Sequence, residues 1–367
     1  VTNTGYKQSL YFADESNYGS ADTVDQPIGL VQSVNPTESN TLIKIRTMGG
    51  TRDYSNIIAG KFDVSGSFDY YLQNGAFLRM AIGEDSASTA TADSGPRTHT
   101  GATLSSSCVH TMGSAVSPSA DNFPSFTLEF ADEEDAGTAT DTTNLNRTYT
   151  GCRVNTLTLT GSVDEPLSVT ADWVAQGVTV STAAATSVTD LTSNPYIFYQ
   201  GAIYATSANV DYDTAITATT STRLANVNSF DFSVNNNLEP VWYISGTTNQ
   251  TQTKRGLKNL LVKGRDYEAS LNLHFKNKNM YQRFLGATGA TAAQNTLSKY
   301  QVVLDFVRTG TIGTKETTDD YIRIVLASCA FNDTNIPGSP EDIVSETMSV
   351  FVESAKIHVV DTDTSYV

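Results

Sequence analysis

Four histidines, three cysteines and one run of carboxylates are where this chain could gather chemistry. His99, Cys108 and His110 stand close together, and an imidazole beside a thiol can serve as base and nucleophile or hold zinc. Such work needs groups held rigidly. These three sit in an interval dominated by Ser, Thr, Ala and Gly, so the cluster reads as accidental. His274 falls on the polar side of an alternating segment and reads as exposed; no histidine lies in HExxH or beside a cysteine pair. Cys108, Cys152 and Cys329 are far apart and form no CxxC, which fits thiols in or near a core better than a zinc knuckle or disulfide framework. The stretch ADEEDAGTATD (131–141) hints at calcium but lacks the DxDxDG spacing with a late Glu, and reads as a solvated hairpin tip. Asn146, Asn249 and Asn332 open Asn-X-Thr triplets, a pattern short enough to arise by chance. GxSxG, GxGxxG and Walker loops are absent. The expectation is no catalytic residue, no metal site, no cofactor and no enzyme.

Charge narrows the partners. The 367 residues carry 39 acidic and 23 basic side chains, a formal charge of −16. Gripping a phosphate backbone needs Lys and Arg that displace counterions, so a chain this acidic is a poor binder of nucleic acid or of an anionic membrane. Acidity fits solubility, a saline habitat or a surface that repels nucleic acid. No apolar run is long enough to span a bilayer, and no secretory signal opens the chain at Val1.

What the elements must position is legible in a repeat. NIIAGKFDVSGSFDYYLQNGAFLRMAIG (56–83) lies without a gap on NLLVKGRDYEASLNLHFKNKNMYQRFLG (259–286) at a separation of 203. Asn56, Asp63, Ser67, Asn74 and Gly83 meet Asn259, Asp266, Ser270, Asn277 and Gly286. In both copies apolar and polar residues alternate, the mark of a strand with one buried face, and then change to a helical spacing at Phe77–Ile82 and Met280–Leu285. Each copy is predicted as a long strand, an Asn turn (Asn74, Asn277) and a short helix ended by Gly. Downstream, FTLEF (126–130) aligns with VVLDF (302–306) at 176, and CRVN (152–155) with CAFN (329–332) at 177, leaving about 27 extra residues in the first copy. That interval, about 84–124, reads as a surface loop. Upstream, the stretches beginning at Gln26 and Asn226 each read as a strand pair joined through an Asn-rich turn. The chain therefore divides into units 1–195 and 196–367, mainly β, each a sandwich or half-barrel with one short helix.

The segments NSFDFSVNNNLEP, KRGLKNLLVKGRDYEASLNLHFKNKNMYQRFLG and IRTMGGTRDYSNIIAGKFDVSGSFDYYLQNGAFLRMAIG resemble the major tail tube proteins of long-tailed, siphovirus-like phages and archaeal viruses. The carriers are the Asn-rich strand at Asn235–Glu239, the Gly-led strand at Val64–Ser67 and the short helix at Met280–Leu285. The first copy departs with PTESN for NNNLE, the second with Ala269-Ser270 for the Gly-Ser pair. The resemblance implies a structural virion protein that stacks as rings into a tube for genome delivery. It would be made in the host cytoplasm, reside in the virion tail and contact other tail proteins, with no membrane. Two units per chain suit a homotrimeric, pseudo-hexameric ring; six chains would give a wider channel. On this reading Asp63, Ser65, Ser67, Asp69, Glu268, Ser270, Asn272 and His274 line the channel, the alternative being a solvated outer face, and viral DNA passes without specific binding. Loops with Arg52, Asp53, Lys254 and Arg255 reach the next ring. A surface-layer or extracellular adhesion module, a carbohydrate-binding sandwich and the inner tube of a contractile injection system are the alternatives. Trp173 and Trp242 are expected in the core.

Overall fold

The computed structural model describes residues 8–48, 52–83, 97–98, 108–113, 123–132, 145–181, 188–207, 209–211, 214, 216, 221–224, 226–243, 255–309, 320–338 and 343–361. In chain order the strands are β1 (Gln8–Asp14), β2 (Gln26–Pro27), β3 (Leu30–Ile45), β4 (Asn56–Tyr71), β5 (Arg97–Thr98), β6 (Cys108–Gly113), β7 (Phe126–Asp132), β8 (Asn146–Ser162), β9 (Ser168–Ala175) and β10 (Gly177–Ser181). There follow β11 (Gly201–Thr206), β12 (Ser221–Arg223), β13 (Val227–Asn235), β14 (Glu239–Val241), β15 (Asn259–Leu261), β16 (Asp266–His274), β17 (Tyr300–Thr309), β18 (Asp320–Asn335), β19 (Ser345–Val352) and β20 (Ser354–Asp361). Among the described residues the helical elements are α1 (Arg79–Ile82), which extends the 3-10 turn Ala76–Leu78, α2 (Asn279–Phe284), a 3-10 turn at Phe198–Gln200 and a helical residue at Arg255. The protein is mainly β, as the alternation predicts.

All ladders are antiparallel. One continuous sheet runs β3-β4-β9-β8-β13-β16-β19-β18. Two outer sheets lie over it, β2-β1-β7-β8-β10 and β12-β11-β17-β18-β20-β6-β5. The long strands β8 and β18 pass from outer to continuous sheet at a left-handed kink, Gly151 (φ 63°) in one and Ser328 (φ 53°) in the other. Between the layers lies one large apolar cluster, fed by Val64, Phe68 and Tyr70 of β4, Leu271 of β16 and Trp173 of β9.

The ladders correspond rung by rung. Val64 faces Ala175 and Tyr71 faces Ser168; 203 and 177 residues on, Tyr267 faces Val352 and His274 faces Ser345. The β8·β9 ladder slips at Val154/Thr156 and the β18·β19 ladder at Phe331/Asp333, both 177 on. The β3·β4 ladder slips at Val31/Ser33 and the β13·β16 ladder at Val227/Ser229, 196 on. Small side chains answer large ones: a Cβ on Gly66 would meet the Trp173 ring at 2.5 Å, whereas at the matching place Ala269 faces the smaller Val350 on that side, so the second half has room for a Cβ there.

Four expectations need correction. Phe126 faces Cys152 and Tyr300 faces Cys329, each followed by a slip, so the counterpart of Phe126 is Tyr300. The separation there is 174, not 176, and the first half carries 29 extra residues. A slip of two leaves every side chain on its own face, so alternation cannot detect it. The Asn-rich stretches are not turns between paired strands. β3 runs unbroken, while β13 and β14 are successive pieces of one line, pairing with β16 and β15. The inserted loop is partly sheet, since β6 pairs along β20 and buries Met112. Trp173 is in the core, but Trp242 is 37% exposed and lies over Lys61.

Candidate functional site

The continuous sheet buries one face and presents the other, and cross-strand rows on the second face can be read from the register. One row is Asn35, Ser67, Asp172, Thr156, Asn235, Asp266; the next is Ser33, Asp69, Thr170, Thr158, Ser233, Glu268, Phe351. A third is Tyr71, Ser168, Thr160, Asp231, Ser270, Ser349, Asp333, and a fourth Ser162, Ser229, Asn272, Thr347, Asn335. These rows hold six carboxylates and neither Lys nor Arg. Strand propensity explains the hydroxyls: Thr and Ser tolerate a pleated, half-wet surface.

Of the residues expected on this face, Ser67, Asp69, Glu268, Ser270 and Asn272 lie in those rows. Ser65 follows one row on, beside Thr37 and Val174, and His274 closes the far end opposite Ser345. Asp63 marks the other end, where Lys61 meets it at 3.0 Å. Asp69 accepts from Ser33 Oγ at 2.5 Å and from Thr170 Oγ1 at 2.6 Å. Burial and then the charge of Asp69 push the neighbouring Asp172 carboxyl above the usual range, and burial does the same for Asp231. The face is thus crowded with negative charge.

The loops expected to project behave differently in the two halves. β3 and β4 form a long hairpin whose outer part is exposed on both faces, with Leu42, Ile43, Ile57 and Ile58 about half exposed. Arg52 and Asp53 are exposed at its tip. Lys254 lies outside the described residues. Arg255 is engaged within the chain, donating from Nε to the Gly60 carbonyl at 2.7 Å and from Nη2 to Asn40 Oδ1 at 2.6 Å, so it clasps the second hairpin to the first.

The spacing pairs Asn155 with Asn332 and marks Asn235–Glu239, but not the match of Asn40 with Asn236 nor the bonds these asparagines make. Asn236 is fully buried where β8 meets β13. Its Nδ2 donates to the carbonyls of Ala81 and Val154, both at 3.0 Å, while its Oδ1 accepts from Arg265 Nε at 2.7 Å. Its backbone N–H donates to the Asn155 carbonyl at 2.8 Å, and Leu238 N–H to Asn155 Oδ1 at 3.0 Å. In the register of the ladders, Asn40 and Leu42 occupy the positions of Asn236 and Leu238, and Asn332 that of Asn155. The signal was present as identities at 196; placing PTESN on NNNLE set it three residues out.

Among the described residues no group of three His, Cys, Asp or Glu is placed to hold a metal, and no helix is long and apolar enough to cross a membrane. His110 lies on β6 with Nε2 3.5 Å from Asp361; His99 is outside the described residues. Asn146 is fully buried, its Oδ1 accepting from the Asp132 N–H. No curated protein matches the chain. The sequence model of the phage tail tube proteins matches residues 5–350, nearly the whole of it. The sandwich with a hydroxyl- and carboxylate-covered sheet face is therefore that of a structural protein of the phage tail, and the chain belongs to the phage tail tube protein family.

Proposed function

We propose that this chain, in units 1–195 and 196–367 that arose by duplication, closes in threes into rings that stack as a tube for the viral genome. The observation that carries the proposal is the composition of the four rows: six carboxylates, many hydroxyls and amides, and no basic group. DNA held by Lys or Arg gains counterion-release free energy that passage must undo at each step. A wall of Asp, Glu, Ser, Thr and Asn offers no such gain and repels phosphate, so the polymer slides. Eight strands per chain in the continuous sheet would give three chains a barrel of about 24, wide enough for an aqueous bore.

The β3–β4 hairpin, with its apolar outer part and Arg52 and Asp53 at the tip, is the element suited to reach the next ring. Arg255 supports that arm from within the chain. The test is electron microscopy of the purified protein, expected to show tubes or rings with three-fold symmetry and an open bore. A solid particle, or a ring with Ser270 and Thr158 on its outside, would end the proposal. Thr158→Lys with Ser270→Lys should leave tubes intact and make them retain DNA at low salt, releasing it as salt rises.

A further inference from the structure

The β8·β13 ladder is a junction between the two halves made inside one chain. The same two kinds of strand end the continuous sheet, β3 at one side and β18 at the other, with no strand beside their outer edges among the described residues. We infer that a second copy of this chain docks β3 against β18 of the first, in the register of β8·β13. The inference rests on the ring reading above and specifies its contact.

The register follows from the correspondence. Leu157 faces Val234, Thr158 faces Ser233, Leu159 faces Phe232 and Gly161 faces Phe230. Adding 177 on β8 and removing 196 on β13 puts Thr334 opposite Glu38, Asn335 opposite Thr37, Ile336 opposite Pro36 and Gly338 opposite Val34 of the second copy. Gly161 is needed internally because a Cβ would meet Phe230 at 2.4 Å; around Gly338 nothing among the described residues lies within 4 Å, which leaves that position open to an arriving strand. Pro36 supplies no N–H, which is tolerated on an edge and leaves this ladder one bond weaker than its template.

The buried asparagine supplies a second element. Asn40 is exposed, and its Oδ1 is already turned inward by Arg255, as Arg265 turns that of Asn236. Its Nδ2 is therefore aimed to donate as Asn236 does, here to the Phe284 and Phe331 carbonyls of the neighbouring copy. Asn332, also exposed, takes the part of Asn155 and receives Leu42 N–H on its Oδ1.

Exposure tells the same story independently. Leu72 and Leu167 are fully buried, with the backbone of Tyr196 from the second half bonded to both; their counterparts Phe275 and Val344 are 39% and 37% exposed. Apolar side chains covered where the second half joins the first are bare at the matching place in the second half, which a second copy would cover.

Asn335→Cys with Thr37→Cys tests the register. Facing residues of an antiparallel pair have Cα atoms about 4.5–5.5 Å apart, within disulfide reach. Within one chain the two positions sit at opposite ends of eight strands, roughly 30 Å apart at about 4.8 Å per strand. Oxidised assemblies should give covalent dimers and trimers on a non-reducing gel, while Asn335→Cys with Asn35→Cys, two residues out of register, should not. Rings that form but link through the displaced pair, or not at all, overturn the register and leave the ring reading standing. Protein that stays monomeric in sedimentation at every concentration overturns both. Asn40→Asp, which keeps the acceptor and loses the donor, should raise the dissociation constant of the ring about 10- to 100-fold without changing monomer unfolding; unchanged assembly removes the asparagine from the contact.

Discussion

The two hairpins of this chain share a tip register and differ in shape. Ile45 faces Asn56 in the first, and 196 and 203 residues on, Val241 faces Asn259 in the second. In the first, sixteen residues run on each side, with slips only at Val31/Ser33 and Asn40/Leu42. In the second the line breaks at 236–238 and 262–265, and the tip folds against the first hairpin through Arg255 and Trp242. A bend strands backbone polar groups, and the second half satisfies them. Asn237 takes a left-handed φ of 47° and donates from Nδ2 to Gly264 O and Asp266 at 2.7 Å, while Arg265 donates to the Ile82 carbonyl at 2.8 Å. A strand thus changes course where asparagine and arginine can replace its ladder. The half lacking that set stays straight and leaves its apolar side chains in the open.

The helices differ in the same sense. Phe77 of the first half is the hub of an aromatic cluster, with ring centroids 5.0 Å from Phe68 and 5.3 Å from both Phe12 and Phe126. Its counterpart Met280 is buried on a helix whose next residue, Tyr281, is 40% exposed. Phe77→Ala should therefore cost the most of any single change proposed, about 3–5 kcal/mol, with Met280→Ala nearer the lower end of about 2–5 kcal/mol. Denaturant unfolding of the monomer would measure both, and equal losses would mean the halves are packed alike.

Next in size is the bend. Arg265→Ala removes charge-assisted bonds to a buried amide and a carbonyl, and should cost about 2–3 kcal/mol. Arg255→Ala, on a half-buried clasp, should cost less, about 1 kcal/mol. A larger loss at Arg255 would make the straight hairpin the dependent one. A change with almost no effect on the monomer but a large one on assembly is Ile43→Asp with Ile58→Asp, facing residues on the exposed arm. Surface changes of this kind shift stability by about 0.5 kcal/mol or less. Rings are expected to persist while stacking fails; tubes of unchanged length in the microscope would free the arm of that role.

What the sequence disclosed was periodic. The long strand 56–71, the Asn turns and the polar face of Asp63–Asp69 were legible because period two and its change to a helical spacing are local. In both turns the asparagine side chain caps the next helical N–H, Asn74 on Ala76 at 3.3 Å and Asn277 on Asn279 at 3.0 Å. What stayed hidden depended on distance in space. Nothing local says that β6, an insertion in one half, pairs with β20 of the other, or that β13 lies against β8 rather than at an outer edge. The two-residue error at Phe126 and the hidden Asn40–Asn236 match share a cause: alternation tells which face a side chain takes, not which partner it meets.

The smallest predicted effect separates the halves by charge. In the first, Asp172 lies beside Asp69 on the polar face; the corresponding positions of the second are Ser349 and Asn272. Burial, and then the charge of Asp69, raise the Asp172 carboxyl above its ordinary value of 3.8. A raised folded-state value means that the folded chain takes up a proton while the unfolded chain is still ionised. Stability should therefore rise as pH falls through the raised value, and level off once it passes the ordinary one. Asp172→Asn removes this dependence, so the variant should be slightly more stable than the parent at neutral pH and should lose that lead as the buffer is taken toward 3.8. The side chain is partly wetted, so the gain is a fraction of what burial alone would give. Thermal unfolding at several pH values reads it. A parent whose stability falls steadily from neutral pH to 5, with the variant falling in parallel, would show that the acid pair of the first half is no more strained than the neutral pair of the second.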